Sequence, residues 1–159
     1  MQRFVDVETH YNGHNEEQIK RNILYARACV RDCLSRGEIP FASHLFFTQP
    51  GILDDKIPAE REGGISTGKA LIEPLPNIVT VVYQDLGISN GMRHGITLAE
   101  SKGRKVEYRT LGENWEEQAL RLASRHSHAR IWGHCQVWTK KDFFLICYTA
   151  VIIKNKNVY

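Results

Sequence analysis

Three polar stretches carry the side chains with reactive chemistry. The first, Glu8 to His14, offers Glu8, His10, Tyr11 and Asn12. The second begins at Ser43 and His44 and continues into a turn with Asp54 and Asp55, followed by Glu60 and Arg61. The third runs from Asp85 to Met92 and contains Ser89, Asn90 and Gly91. A carboxylate and a histidine in one place can share acid and base work. Backbone amides following Ser89 and Asn90 at a helix start can hold an anion, because orphan N–H groups and the helix dipole favour negative charge. Gly91 lets a ligand come close to the main chain. Each residue also has a plainer reading. Ser89 and Asn90 serve as helix caps, Asp85 as a turn former, and the histidines as hydrogen-bonded loop residues. Glu8 has the least structural excuse, since it stands directly after a strand.

The elements that must position these residues alternate. Arg3 to Val7 reads as a first strand. Apolar residues at Ile19, Ile23, Ala26, Val30 and Cys33 or Leu34 then recur at helical spacing, with Asn15 as cap, Glu16 and Glu17 in the first turn and Gly37 at the end. Ile39 to Phe47 reads as a second strand running into its loop. Thr48 to Pro58 is turn chemistry. A helix over 58–71 follows, weakened by Gly63, Gly64 and Gly68, which imply close backbone approach to a neighbour or a ligand. From Asn77 to Tyr108 the order is strand, loop, helix, turn, strand: one βαβ unit, with Met92, Ile96 and Ala99 on the helix's apolar side. Asn114 and Glu117 have capping-box spacing for a last helix that buries Trp115, Ala119 and Ala123. The alternation predicts an α/β fold, a doubly wound (Rossmann-like), mostly parallel sheet with helices on both faces. In such sheets ligands lie at the carboxyl ends of the strands, where the three polar stretches would meet.

Composition narrows the partners. The 159 residues suit one domain with a real core, and 42% hydrophobic with 25% charged residues is ordinary for a globular chain. A net charge of +3 with scattered basic residues gives no electrostatic case for nucleic acid. No stretch reaches the roughly 20 apolar residues of a membrane span, and Met1 to Gly13 lacks a signal-peptide core, so a cytoplasmic location is expected. Cys29, Cys33, Cys135 and Cys147 read as thiols rather than a disulfide framework. His126, His128, His134 and Cys135 have the residue types of a zinc site, but their spacing fits no standard finger, so no metal is expected. GxGxxG, GxxxxGK[ST] and GxSxG are all absent, and no cofactor is implied.

The segment YQDLGISNGMRHGITLAESKGRKV resembles the nucleoside 2-deoxyribosyltransferase-like superfamily, with Asp85, Gly91, Ala99, Gly103 and Val106 where its pattern places them. YARACVRDCLSRGEIPFASHL, TQPGILDDKIPAEREGGI and VVYQDLGISNGM resemble, more strongly, a group of small uncharacterised domains from phages and bacteria. The resemblance covers about residues 3 to 111. It implies a domain over 1–111, with 112–159 a helix and strand extension packed on it. It also implies a small-molecule nucleoside or nucleotide as ligand, cleavage or transfer at the N-glycosidic bond, and a homo-oligomer. Superfamily enzymes attack the anomeric carbon with a glutamate on the helix after the third loop. An ungapped alignment puts Gly95 at that position. Two readings therefore stand: an enzyme whose carboxylate is Glu8 or Asp85, with His44 or His10 as acid, or a binding protein that has lost catalysis along with the glutamate. The contact set in either reading is His10, Tyr11, Asn12, Ser43, Asp55, Arg61, Ser89, Asn90, Gly91 and Met92, with Arg61 facing a phosphate or carboxylate.

Overall fold

A computed structural model describes residues 2–128 of the chain, with side chains placed through Ser124. The tail residues His134, Cys135 and Cys147 and the run from Phe143 to Ile153 lie outside the described residues, as do the side chains of His126 and His128.

The elements are β1 (Phe4–Glu8), α1 (Glu16–Ser35), β2 (Ile39–Phe41), α2 (Ser43–Phe47), α3 (Pro58–Ile72), β3 (Val79–Tyr83), α4 (Asn90–Ser101), β4 (Val106–Arg109) and α5 (Trp115–His128). The four strands make one sheet in the order β2-β1-β3-β4, and every pairing is parallel. This is the α/β, doubly wound architecture read from the alternation.

Strand alternation decides which face does what. In β1, Val5 and Val7 point to one side, where they join Tyr25, Cys29 and Cys33 of α1, Val79, Val81 and Tyr83 of β3, and Trp115 and Ala119 of α5 in the main core. On the other side Val82 packs with Met92 and Ile96 of α4. All five β3 residues are buried, as expected for a strand covered on both faces. Asp6 and Glu8 share the second face with Thr80 and Val82, their register partners on β3.

Local chemistry accounts for most boundaries. The Asn15 side chain accepts the Gln18 N–H at 2.8 Å and opens α1, while Gly37, at φ 74°, takes the left-handed conformation past its end. Pro58 sits in the first turn of α3. Gly64 and Gly68 are buried there because the neighbouring segment lies close: a Cβ on Gly68 would sit 2.8 Å from the Ser43 Cβ, and one on Gly64 3.1 Å from the Leu53 Cδ1.

Two expectations are corrected. The apolar run IPFASHLFF is a strand only over Ile39–Phe41, and Ser43–Phe47 turns into the short helix α2, with Leu45 and Phe46 donating N–H groups to the Ala42 carbonyl. Ala123 is exposed rather than buried. The compact unit runs to Ala123, and Trp115 and Ala119 of α5 belong to its main core. Among the described residues no helix is long and apolar enough to cross a membrane.

Candidate functional site

A cleft of about 500 Å³ opens on the second sheet face, between α3 and α4, and reaches the carboxyl ends of the strands. Asp6 and Glu8 come from β1, Ser43, His44 and Phe47 from α2, Asp55 and Arg61 from the turn and start of α3, and Ser89, Asn90, Gly91 and Met92 from the start of α4. Tyr11 and Asn12 close one side. Their loop is anchored by the buried Asn22, whose amide donates to the carbonyls of Tyr11 at 3.2 Å and Asn12 at 2.9 Å.

Glu8 is the most distinctive group. Its carboxyl lies against the main chain of α4 at Gly95. A Cβ built on Gly95 would stand 2.7 Å from the Glu8 Cδ and 3.1 Å from Oε2, with Oε1 closer still. A side chain at position 95 and the present placement of Glu8 exclude one another. Burial pushes the Glu8 carboxyl up to about 8, helped by the Asp6 charge and opposed by Lys69. Burial also raises Asp6 to about 6, opposed by Arg104. Asp6 was absent from the residues singled out in the sequence, although the alternation of FVDVE puts it on the face of Glu8.

The rim of the cleft carries charges of both signs, with Asp55 and Glu60 beside Arg61 and Lys69. Arg61 pairs with Asp55, and Lys69 Nζ stands 3.2 Å from His94 Nε2, with Lys69 and His94 both lining the cavity. The Ser89 side chain accepts the Met92 N–H at 3.3 Å, so Ser89 caps α4 as its plainer reading had it, and Asn90 and Gly91 remain exposed at the cleft edge. Tyr11 and His44 rings lie 6.0 Å apart and, with Phe47, give the cleft an aromatic side.

Three expected roles change. Asp85 does not line the cleft. It accepts the Tyr25 hydroxyl, the Leu111 N–H at 2.9 Å and the Gly112 N–H at 3.0 Å, which ties the end of β3 to α1 and to the chain after β4. Its oxygens are taken by structure, and the nucleophile role passes from it. His10 also lies off the cleft lining, with a buried and unpartnered Nε2 and a ring held to the Gly87 backbone. His44 does line the cleft, but burial lowers it to about 4 and its Nε2 lies 2.8 Å from the Thr9 hydroxyl. Neutral near pH 7, it has no imidazolium proton to give. Among the described residues no group of three or more His, Cys, Asp or Glu is placed to hold a metal ion.

Fold and cleft together define an α/β domain with a small-molecule-sized hollow that has two carboxyls on its floor and mixed charge on its rim. The chain belongs to the family described as Domain of unknown function (DUF7768), whose model matches residues 3–109. That span begins just before β1 and ends with β4, so it holds every cleft residue. No curated protein and no solved structure matches the chain.

Proposed function

We propose that the cleft binds a nucleoside or nucleotide and cleaves its N-glycosidic bond, with the Glu8 carboxyl as a reacting group. The observation that carries this reading is the relation of Glu8 to Gly95. The resemblance to the 2-deoxyribosyltransferase-like superfamily expects a carboxylate on the helix after the third loop, at position 95. Here that position has no side chain, and a carboxyl delivered from β1 fills the space a side chain would take. The reactive group is supplied from the opposite wall of the same hollow. The rest of the cleft suits such a ligand. The aromatic side at Tyr11 and Phe47 offers a face for a base, and Arg61 with the exposed start of α4 suits a phosphate.

The test uses the full chain with a panel of ribo- and deoxyribonucleosides, their 5′-monophosphates and NAD. Base release is followed by chromatography and binding by thermal shift. The expected result is base release from at least one compound, abolished in Glu8→Gln. A panel that neither shifts the melt nor releases base overturns the reading. A second reading, binding without turnover, is favoured by the raised Glu8 carboxyl, which is uncharged near pH 7 and so is no nucleophile in that state. It predicts a stabilised melt with no base released.

A further inference from the structure

Thr9 and His44 both line the cleft, and the bond between them fixes which ring nitrogen of His44 has a proton to offer. Thr9 follows β1 directly and is 5% exposed. Its hydroxyl stands 2.8 Å from His44 Nε2 and 3.4 Å from the His10 carbonyl. A hydroxyl bond to oxygen runs about 2.5–3.0 Å, so the carbonyl is a poor partner and the Thr9 proton goes to Nε2. Burial keeps the His44 ring neutral near pH 7, and a neutral imidazole has a single proton. With Nε2 accepting, that proton is on Nδ1. Nδ1 bonds to none of the described residues and is not among their buried, unpartnered polar atoms. It is therefore a free donor on a half-buried side chain of the cleft wall, whose ring lies 6.0 Å from that of Tyr11. Resting on the nucleoside reading, we propose that His44, positioned by Thr9, donates from Nδ1 to a carbonyl on the ligand's base, so that the cleft selects oxo bases over their amino counterparts.

The two kinds of base match in size. Hypoxanthine has a carbonyl where adenine has an amino group, and uracil has one where cytosine has an amino group. Shape at the aromatic side of the cleft does not separate them, whereas a fixed donor does, because a wrong partner leaves polar groups unpaired. An amino group at His44 needs an acceptor. For Nδ1 to accept, the ring proton has to move to Nε2 and point at the Thr9 hydroxyl oxygen. The Thr9 proton is then left with the His10 carbonyl at 3.4 Å, in a place closed to water. The Thr9 hydroxyl thus ties the choice of base to a hydrogen bond inside the protein. Thr9 acts through His44 and is a positioning residue, while His44 touches the ligand. Glu8 faces the bond to the sugar and takes no part in this choice.

The experiment compares inosine with adenosine and uridine with cytidine on the full chain, each as riboside, deoxyriboside and 5′-monophosphate. Selection is read as the ratio of dissociation constants from titration calorimetry, or of kcat/KM where base is released. Wild type is expected to favour the oxo member of at least one pair by about 10-fold or more. His44→Phe keeps an aromatic ring without the donor, and is expected to weaken the oxo member until the pair lies within about 2-fold. Thr9→Val removes the hydroxyl and frees the His44 proton to sit on either nitrogen, so the pair is expected to converge there as well. Thr9→Ser is expected to restore the wild-type ratio. Melts without ligand check that each variant folds. A purely structural Thr9 would weaken both members alike and leave the ratio unmoved. Equal binding of both members by wild type, a preference for the amino members, or an unchanged ratio in Thr9→Val would overturn the selection while leaving nucleoside binding standing. A wild-type chain that binds none of these compounds removes the nucleoside reading itself, and the selection with it.

Discussion

Gly95→Ala separates the site from the fold. Gly95 is inside α4 with ordinary helical backbone, so alanine there gains about 1 kcal/mol of helix propensity. The three atoms nearest the new methyl all belong to the Glu8 carboxyl, with Cδ at 2.7 Å and Oε2 at 3.1 Å. That carboxyl ends a flexible side chain, which can swing away toward the cleft without moving the backbone. The displacement gives back part of the propensity gain, so the net effect on stability is between about 0 and 1 kcal/mol favourable, a rise of at most a few degrees in Tm. Base release falls by about 100-fold, because a reacting group misplaced by an ångström loses that much. Urea denaturation followed by circular dichroism gives the first quantity and chromatography the second. Two results would refute the reasoning. A loss of more than about 2 kcal/mol would mean that the helix and not Glu8 gives way. Unchanged turnover in a stable variant would mean that the cleft does not depend on where Glu8 sits.

Other substitutions probe the remaining assignments. Asp85→Ala strands the Tyr25 hydroxyl and two backbone amides, and is expected to cost about 2–3 kcal/mol in urea denaturation while base release per folded molecule stays unchanged. Glu8→Gln tests the buried carboxyl by pH. The folded chain holds a proton on Glu8 between the ordinary 4.5 and about 8, so wild-type stability falls as pH rises through that window. The amide variant should match wild type near pH 4 and exceed it by up to about 5 kcal/mol at pH 9, the window of about 3.5 pH units at about 1.4 kcal/mol each, measured by melts across pH. Equal slopes for the two proteins would mean that Glu8 ionises in the ordinary range. Gly63→Ala and Gly68→Ala form a matched pair in α3. A Cβ on Gly63 meets nothing within 4 Å and should stabilise by about 0.5–1 kcal/mol, while one on Gly68 meets Ser43 at 2.8 Å and should cost about 1–3 kcal/mol in the same denaturation assay.

Periodicity carried the fold because each long element satisfies its own local rules. The cap of Asn15, the stop at Gly37, the buried run of β3 and the stripe of Met92, Ile96 and Ala99 are all written within a few residues of the element they define. The short helix α2 was illegible for the same reason: its Ala42 cap makes no side-chain hydrogen bond, and five residues inside an apolar run carry no helical period. The cleft was legible in so far as strand ends announce it. Asp85 and Glu8 gave the same local signal, an acid at the end of a strand, and diverge only through partners distant in sequence: Tyr25, Leu111 and Gly112 for one, Gly95 for the other. Asp6 carries no loop or turn signal, and only the alternation that buries Val5 and Val7 commits it to the other face.

The Glu8 and Gly95 relation also limits how this cleft can vary. The carboxyl needs position 95 empty, and an acid at 95 would need position 8 small, so neither residue can change to the other arrangement alone. Glu8 and Gly95 are separated by two crossovers, yet the parallel pairing of β1 with β3 and the return of α4 over their shared face bring them into contact. Gly95→Glu by itself would set two carboxyls in one space, where overlap and the burial of a second carboxyl both oppose folding. Combined with Glu8→Gly, the same substitution keeps one carboxyl in the hollow and relieves the overlap. The double variant should therefore be more stable than Gly95→Glu alone, an interaction that a double-mutant cycle in urea measures directly. Simple additivity of the two substitutions would show that the two positions do not compete for the same space.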